Sequence, residues 1–375
     1  MPVDVILGLQ WGDEGKGKIV DLLSEQYSVI IRFQGGPNAG HTIWIGDKKF
    51  VLHQVPSGII RPDIINVIGD GVVLDPIILK KEISNLEKEQ IDVQSRLHIS
   101  LGAHLIMPTH RLLDALNEKA DDGTRVGSTL KGIGPTYQDK VGRFGLRIGD
   151  ILRHDFEAVY AQKRQKHLRL LEAMGYNEVP DDTEWLSAIE ELRRFSILDT
   201  SMFLQDRLVN GEAMLAEGAQ GTLLDVNFGS YPYVTSSHTV AASACIGSGF
   251  SHKYLRKIYG VFKAYTTRVG EGPYPTELHG VVGEHLRTKG KEFGSTTGRP
   301  RRCGWLDMPA LRYAIALNGV DELIMMKMDV LSELDKIPVC THYKDESGEE
   351  AHFSSLSFGE SVTTEYDALR GWQEE

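Results

Sequence analysis

The sequence predicts an α/β fold: a single large, doubly wound, mostly parallel sheet with helical and hairpin insertions. Three observations predict it. Strand-like and helix-like patterns alternate over the first half of the chain and return after residue 210. Glycine-rich loops stand where apolar runs end, which is where open α/β sheets bind ligands. The 375 residues can bury a large core, and no repeat, low-complexity segment or linker divides them.

The first apolar run, residues 3–9, leads into Gln10-Trp11-Gly12-Asp13-Glu14-Gly15-Lys16-Gly17-Lys18, and Ile19 to Leu23 reads as the first turns of a helix. Glycines before a helix N-terminus let backbone N–H groups approach an anion, and the helix end adds partial positive charge. Gly12 to Lys18 fits the spacing of a phosphate loop, but Ile19 stands where the Mg2+-binding hydroxyl of such loops belongs. The loop is therefore a variant of the GTPase type. It also carries a carboxylate, Asp13, which there holds a metal or takes a proton. The bland alternative is a glycine turn with a solvated acid.

The second run, residues 28–33, empties into Gln34-Gly35-Gly36-Pro37-Asn38-Ala39-Gly40-His41-Thr42. An acid on one loop and a histidine on the next would supply a proton acceptor and a donor to one crevice. Alone, His41 reads as a turn or surface histidine. Residues 42–45 and 48–53 form a hairpin across Gly46-Asp47. Residues 66–74 are a strand interrupted by Gly69-Asp70-Gly71, and Asp75-Pro76 opens a helix as cap and first helical residue. From about 155 to 208 the pattern is mainly helical, with Trp185, Ile189, Leu192 and Phe195 as a core stripe. Residues 214–217 and 323–326 read as buried strands ending in functional loops.

Composition excludes several classes. Apolar content of 41% and charged content of 25% are ordinary for a globular protein. A formal charge of −11 argues against a general nucleic-acid binder. The start lacks a basic signal-peptide region, and no apolar run approaches the ~20 residues of a membrane span. Three scattered cysteines give neither a disulfide framework nor a metal pattern. A cytoplasmic protein without nucleic-acid or membrane partners is expected.

Seven segments stand in order: residues 10–18 and 35–42, Gly132-Ile133-Gly134-Pro135 running into Asp139-Lys140-Val141-Gly142-Arg143, residues 217–225 and 231–237, residues 296–307, and Lys327-Met328-Asp329. Together they resemble the adenylosuccinate synthetase family, which joins L-aspartate to IMP with GTP. One glycine loop would be weak evidence, but the ordered set is specific. The resemblance implies a catalytic domain over 1–345 with a mainly helical insertion about 151–210, then a shortened C-terminal segment over 346–375. It also implies a GTP-dependent C–N ligase of purine (AMP) biosynthesis that forms a 6-phosphoryl-IMP intermediate with Mg2+.

The same resemblance carries roles residue by residue. Asp13 matches the general base and a Mg2+ contact, Gly40 a second Mg2+ contact through its carbonyl, and His41 the acid at the transferring phosphate. Gln220 joins these catalytic positions and, with Asn38, Thr129 and Thr235, matches the IMP contacts. Arg143 matches an arginine that reaches the IMP phosphate from the neighbouring subunit of a homodimer. Thr296, Thr297, Arg299 and Arg301 match the clamp on the aspartate carboxylates, for which guanidinium forks are suited. Gly12, Gly15, Lys16 and Gly17 match the GTP phosphate loop, and Lys327 and Asp329 the guanine contacts. Asp329 would accept the N1–H and 2-amino donor pair that adenine lacks. Read without the family, Arg143 is a surface charge and residues 299–302 an RNA-binding or solvated basic run, against which the overall acidity counts.

Three departures stand out. Leu130 follows Thr129 where a small or basic residue is usual, and Asp70 replaces an expected asparagine near the crevice. The chain also ends several tens of residues short of a usual member, which would leave half a guanine pocket. Two alternatives follow: a phage-type dGMP–aspartate ligase, against which the intact Asp13 argues, or a catalytically inactive purine-nucleotide-binding relative.

Overall fold

The computed structural model describes residues 3–38, 40–119, 125–294, 298–332 and 334–372. Eight strands build the main sheet: β1 (Val3–Gly8), β2 (Val29–Arg32), β3 (Ile65–Ile68), β4 (Leu97–Ser100), β5 (Ser196–Leu198), β6 (Met214–Gly221), β7 (Leu255–Lys263) and β8 (Glu322–Met326). Their order is β8-β7-β1-β6-β2-β3-β4-β5. The pairs β6–β2, β2–β3, β3–β4, β4–β5 and β7–β8 are parallel. The expected mostly parallel α/β sheet is therefore present. The β6–β2 register sets Glu217 beside Arg32, and that pairing matters for the chemistry below.

The chain divides into two compact units. The first comprises the N-terminal residues to Val5, Gly17–Ala219 and Ala242–Arg256. Its core joins residues of the hairpin (Ile43, Leu52), of the strands (Ile68, Leu97, Ile99) and of the helices (Leu79, Ile83, Trp185, Ile189, Leu192, Phe195). The Trp185 stripe is thus core, as its spacing indicated. Its ring stacks on Tyr160 at 4.7 Å and its indole N–H donates to the Ile106 carbonyl at 2.8 Å. The hairpin His41–Ile45/Lys48–Leu52 is antiparallel across Gly46-Asp47. Asp75 caps the helix Pro76–Lys88, accepting the N–H groups of Ile77 and Ile78 at 3.1 Å.

The stretch 155–208 is mainly helical, as expected, with the short strand β5 between its second and third helices. Three residues are too few to show a two-residue alternation against a helical background. One expectation needs correction. Strand β8 is not buried: Leu323 is 51% and Met325 43% exposed. It is an edge strand of the sheet, and an apolar sequence says nothing of whether a strand lies at the edge or the centre.

The second unit comprises Ile6–Lys16, Gln220–Ala241 and the chain from Lys257 onward. Strand Lys336–Lys344 is its organiser, pairing parallel with Leu306–Asp307 and antiparallel with Glu350–Ala351 and Thr363–Arg370. A second ribbon pairs Thr266–Arg268 with Arg302–Gly304. The helix Met308–Asn318 starts on the Asp307 cap and stops at Gly319, which takes the left-handed φ of 62°.

Candidate active site

In the second unit the loop after β1 is buckled around Glu14, a residue not singled out from sequence. Glu14 Oε1 accepts the N–H groups of Gln10 at 3.1 Å and Gly12 at 2.9 Å, and Oε2 takes Lys16 Nζ at 2.6 Å. Glu14 and Lys16 are both buried. There is room only because Gly8 and Gly221 lack side chains: a Cβ at either would stand 2.2 to 2.6 Å from the Glu14 carboxylate. Lys16 is thus ion-paired inside the loop rather than held out in solvent. An isolated buried charge would cost several kcal/mol, so the pair keeps both groups in place (about 3–5 kcal/mol is lost when one partner goes).

Asp13 points differently. It holds a left-handed φ of 60°, a conformation costly for a residue with a side chain, and its carboxylate is 31% exposed. Among the described residues its carboxylate pairs with Arg301, whose Nε lies 2.8 Å from Oδ2. Gln220 is also left-handed, at φ 56°, and nearly buried at the end of β6. The following loop is organised by buried Asp225, which accepts the N–H groups of Asn227, Phe228 and Thr239. It carries half-buried Thr235, whose N–H donates to the Leu224 carbonyl at 2.8 Å.

The first unit presents His41. Its Nδ1 meets Oε1 of Glu217 in a short contact, and Glu217 also accepts the Ser57 hydroxyl at 2.6 Å and the Ser57 N–H at 2.8 Å. Arg32 Nη1 adds an ion pair at 3.4 Å. A carboxylate can only accept, so the proton between them sits on Nδ1, and Nε2 is the nitrogen through which the ring acts. Burial pushes the Glu217 carboxyl up, but the charges of His41 and Arg32 and the hydrogen bonds outweigh it and hold it at about 2. Glu217 thus stays ionised beside the ring. Gly17 allows the approach, since a Cβ there would lie 2.7 Å from that of His41.

Around His41, Tyr137 fixes the start of the second loop by accepting the Gly35 N–H and donating to the Gly71 carbonyl. Lys131 Nζ donates to the Pro37 carbonyl at 2.8 Å, tying this loop to the one that carries Thr129. Asn38 and Gly40 lie on the tied loop, both half-buried. Thr129 is exposed, and buried Asp114 pins both flanks of its loop by accepting the Ser128 hydroxyl and the Gly132 N–H. Asp70 adds less loose charge than its replacement of asparagine suggested, because the Ser100 hydroxyl donates to it closely.

Arg143 is exposed in a left-handed turn, φ 60°, after the helix Ile133–Val141. Asp139, one helical turn before it, accepts from His110 Nε2 at 3.0 Å and His167 Nε2 at 2.8 Å. Among the described residues this trio is the one grouping with metal-ligand spacing. It is nevertheless unsuited to a metal, since the Met107 N–H donates to His110 Nδ1 at 2.9 Å. That bond leaves the ring proton on Nε2, the atom a metal would need.

Of the positions matched to an aspartate clamp, Thr296 and Thr297 lie outside the described residues. Arg299 is exposed, and its carbonyl accepts the Gly294 N–H at 2.9 Å. Arg301 pairs with Glu292 at 2.5 Å as well as with Asp13. Lys327 Nζ donates to the Gly290 carbonyl at 2.7 Å from a left-handed residue, and Asp329 is exposed in the turn that follows.

Sheet topology and the glycine loops after its strands define an α/β protein with a mostly parallel sheet. A sequence model of the adenylosuccinate synthetase family matches residues 5–375. The chain is 50% identical over 379 residues to the adenylosuccinate synthetase of Christiangramia forsetii, covering all of this chain and 90% of that one. It is 52% identical to that of Porphyromonas gingivalis, over 99% of this chain and 88% of the relative. The fully ligated adenylosuccinate synthetase of Plasmodium falciparum superposes with a TM-score of 0.93 at 39% identity, covering 100% of this chain and 89% of that one. The chain belongs to the adenylosuccinate synthetase family and is a ligase of that family. A cyanophage S-2L succinoaminodeoxyadenylate synthetase bound to dGMP and dATP shares the fold, with a TM-score of 0.65 at 24% identity over 88% of this chain and 87% of that one. These similarities favour the IMP-type reading over the phage type.

Proposed function

We propose that the protein joins IMP and L-aspartate, using GTP to phosphorylate the 6-oxygen of the purine. The observation that carries this reading is the Glu217–His41 pair: a buried carboxylate holds a histidine with its Nε2 as the acting atom, ready to donate to a phosphate oxygen. Ring oxygen is a poor leaving group until phosphorylated. Asp13 takes the N1 proton, so that the 6-oxygen can attack the γ-phosphorus. His41 gives a hydrogen bond to the transferring phosphoryl group as charge builds. The amine of aspartate then displaces phosphate at C6.

Hard oxygen donors suit Mg2+. Asp13, partly exposed in the phosphate loop, fits as one ligand and the Gly40 carbonyl as another. When bound, the ion would neutralise charge on the nucleotide phosphates. Asn38, Thr129, Gln220 and Thr235 offer neutral contacts to IMP, while Thr296, Thr297, Arg299 and Arg301 serve the aspartate carboxylates. Gly12, Gly15 and Gly17 shape the GTP phosphate seat with Lys16 beneath it. Lys327 and exposed Asp329 face the guanine. A cytoplasmic location accords with this chemistry, and no described helix is long and apolar enough to cross a membrane.

Arg143 reaches the IMP phosphate of the neighbouring subunit in a homodimer. Its exposure beside Val141, 81% exposed, supports that role. Arg143→Leu and Asp13→Ala proteins, each inactive alone, should recover activity when mixed and allowed to exchange subunits. Random pairing with one intact site per mixed dimer restores about a quarter of the wild-type rate. No recovery, with exchange verified, would show that each site is self-contained.

A further inference from the structure

Glu292 lies at the foot of the loop that carries Arg299, and it is 1% exposed. Its Oε1 accepts from Lys263 Nζ at 3.1 Å and, closely, from the Tyr265 hydroxyl. Its Oε2 accepts from Arg301 Nη1 at 2.5 Å, and its carbonyl takes the Arg301 N–H at 3.0 Å. One backbone bond and one ion pair therefore fix where Arg301 starts. Lys263 is itself locked: it is buried, its Nζ reaches Thr267 Oγ1, and its backbone is held on both sides by the Gln10 amide.

The Arg301 guanidinium thus spans two carboxylates of unequal standing. Glu292 is buried and braced by Lys263, whereas Asp13 is 31% exposed and its 2.8 Å contact with Nε lacks the alignment of a hydrogen bond. Burial works against the charge on Arg301, but Asp13 and Glu292 together outweigh it. Breaking the Glu292 pair would strand buried charge, while the Asp13 contact can be exchanged at small cost.

We propose that Arg301 alternates between Asp13 and an incoming dicarboxylate, so that amino-acid binding releases the Asp13 carboxylate for proton abstraction, with Glu292 as the positioning residue that holds the pivot. The inference rests on the proposed roles of Asp13 and Arg301. Because linkage is reciprocal, whatever Asp13 gains from Arg301 is subtracted from the affinity for the ligand carboxylate. Removing the Asp13 charge should therefore tighten aspartate binding, the opposite of what loss of a structural residue does.

The test is titration calorimetry of L-aspartate into the full chain with IMP present and divalent metal chelated. Asp13→Asn is expected to bind aspartate roughly fivefold more tightly than the unsubstituted protein, the scale of a partly exposed ion pair. Glu292→Gln is expected to weaken aspartate binding by about tenfold or more while IMP affinity is kept, because the guanidinium loses its anchor. Should Glu292→Gln fail to fold, Asp13→Asn alone decides. Equal or weaker aspartate binding by Asp13→Asn overturns the alternation while leaving the ligase reading intact. Absence of aspartate binding by the unsubstituted chain overturns both the loop assignment and the alternation.

Discussion

Asp13→Ala is expected to lower turnover by at least about three orders of magnitude, since it removes the proposed general base, while folding normally and still binding IMP. The structure explains why the two effects should separate. Asp13 is partly exposed, and the buried work of its loop is done by Glu14, Gln10 and Lys16. Alanine at a left-handed position costs about 1 kcal/mol, which a chain of this size tolerates. Steady-state turnover, IMP titration and thermal unfolding of the same preparation check all three expectations. Normal turnover in Asp13→Ala would remove the base assignment.

Glu217→Gln is expected to cost about 3 kcal/mol of stability, because a buried charge network loses its anion, and to reduce turnover about a hundredfold by loosening His41. The wild-type protein carries the matching pH signature. The folded carboxyl sits at about 2, below its ordinary value. Its stabilising contribution is therefore fully present above the ordinary carboxylate pKa of about 4.3 and is lost as pH falls through that value toward 2. Denaturant unfolding between pH 2 and 6 should show a shallower acid slope in Glu217→Gln than in wild type, by about one proton or less. Parallel acid limbs, with wild-type turnover, would mean that His41 is held by Ser57 and Arg32 without Glu217.

Much of the architecture was legible because it repeats along the chain. Apolar runs ending in glycine loops announced β1, β2 and β6, and the Gly46-Asp47 turn and the Asp75-Pro76 cap formed as written. Exposed Asp13 and Arg143 and buried His41 drew notice because they sit in motif-like loops. What stayed hidden was the buried ionic framework beneath them. Glu217 acts on a histidine 176 positions away, and Glu292 on a lysine 29 positions away. Neither pairing leaves a local pattern. One signal could have been read: a glutamate closing the apolar run Met214-Leu215-Ala216-Glu217 must be buried, and a buried acid demands a cation. Likewise Glu14 lay inside the quoted loop, yet only its packing against Gly8 and Gly221 shows that it braces the loop from below.

The most direct measurement is turnover of the purified chain with IMP, L-aspartate and Mg2+, offered GTP, ATP or dATP in separate reactions and repeated with dGMP in place of IMP. Nucleoside diphosphate and succinyl-purine are followed together. GDP and adenylosuccinate are expected in equal amounts from IMP and GTP. Turnover only with dGMP or an adenine donor, or no succinyl-purine from any mixture by protein that still binds IMP, would contradict the proposed function.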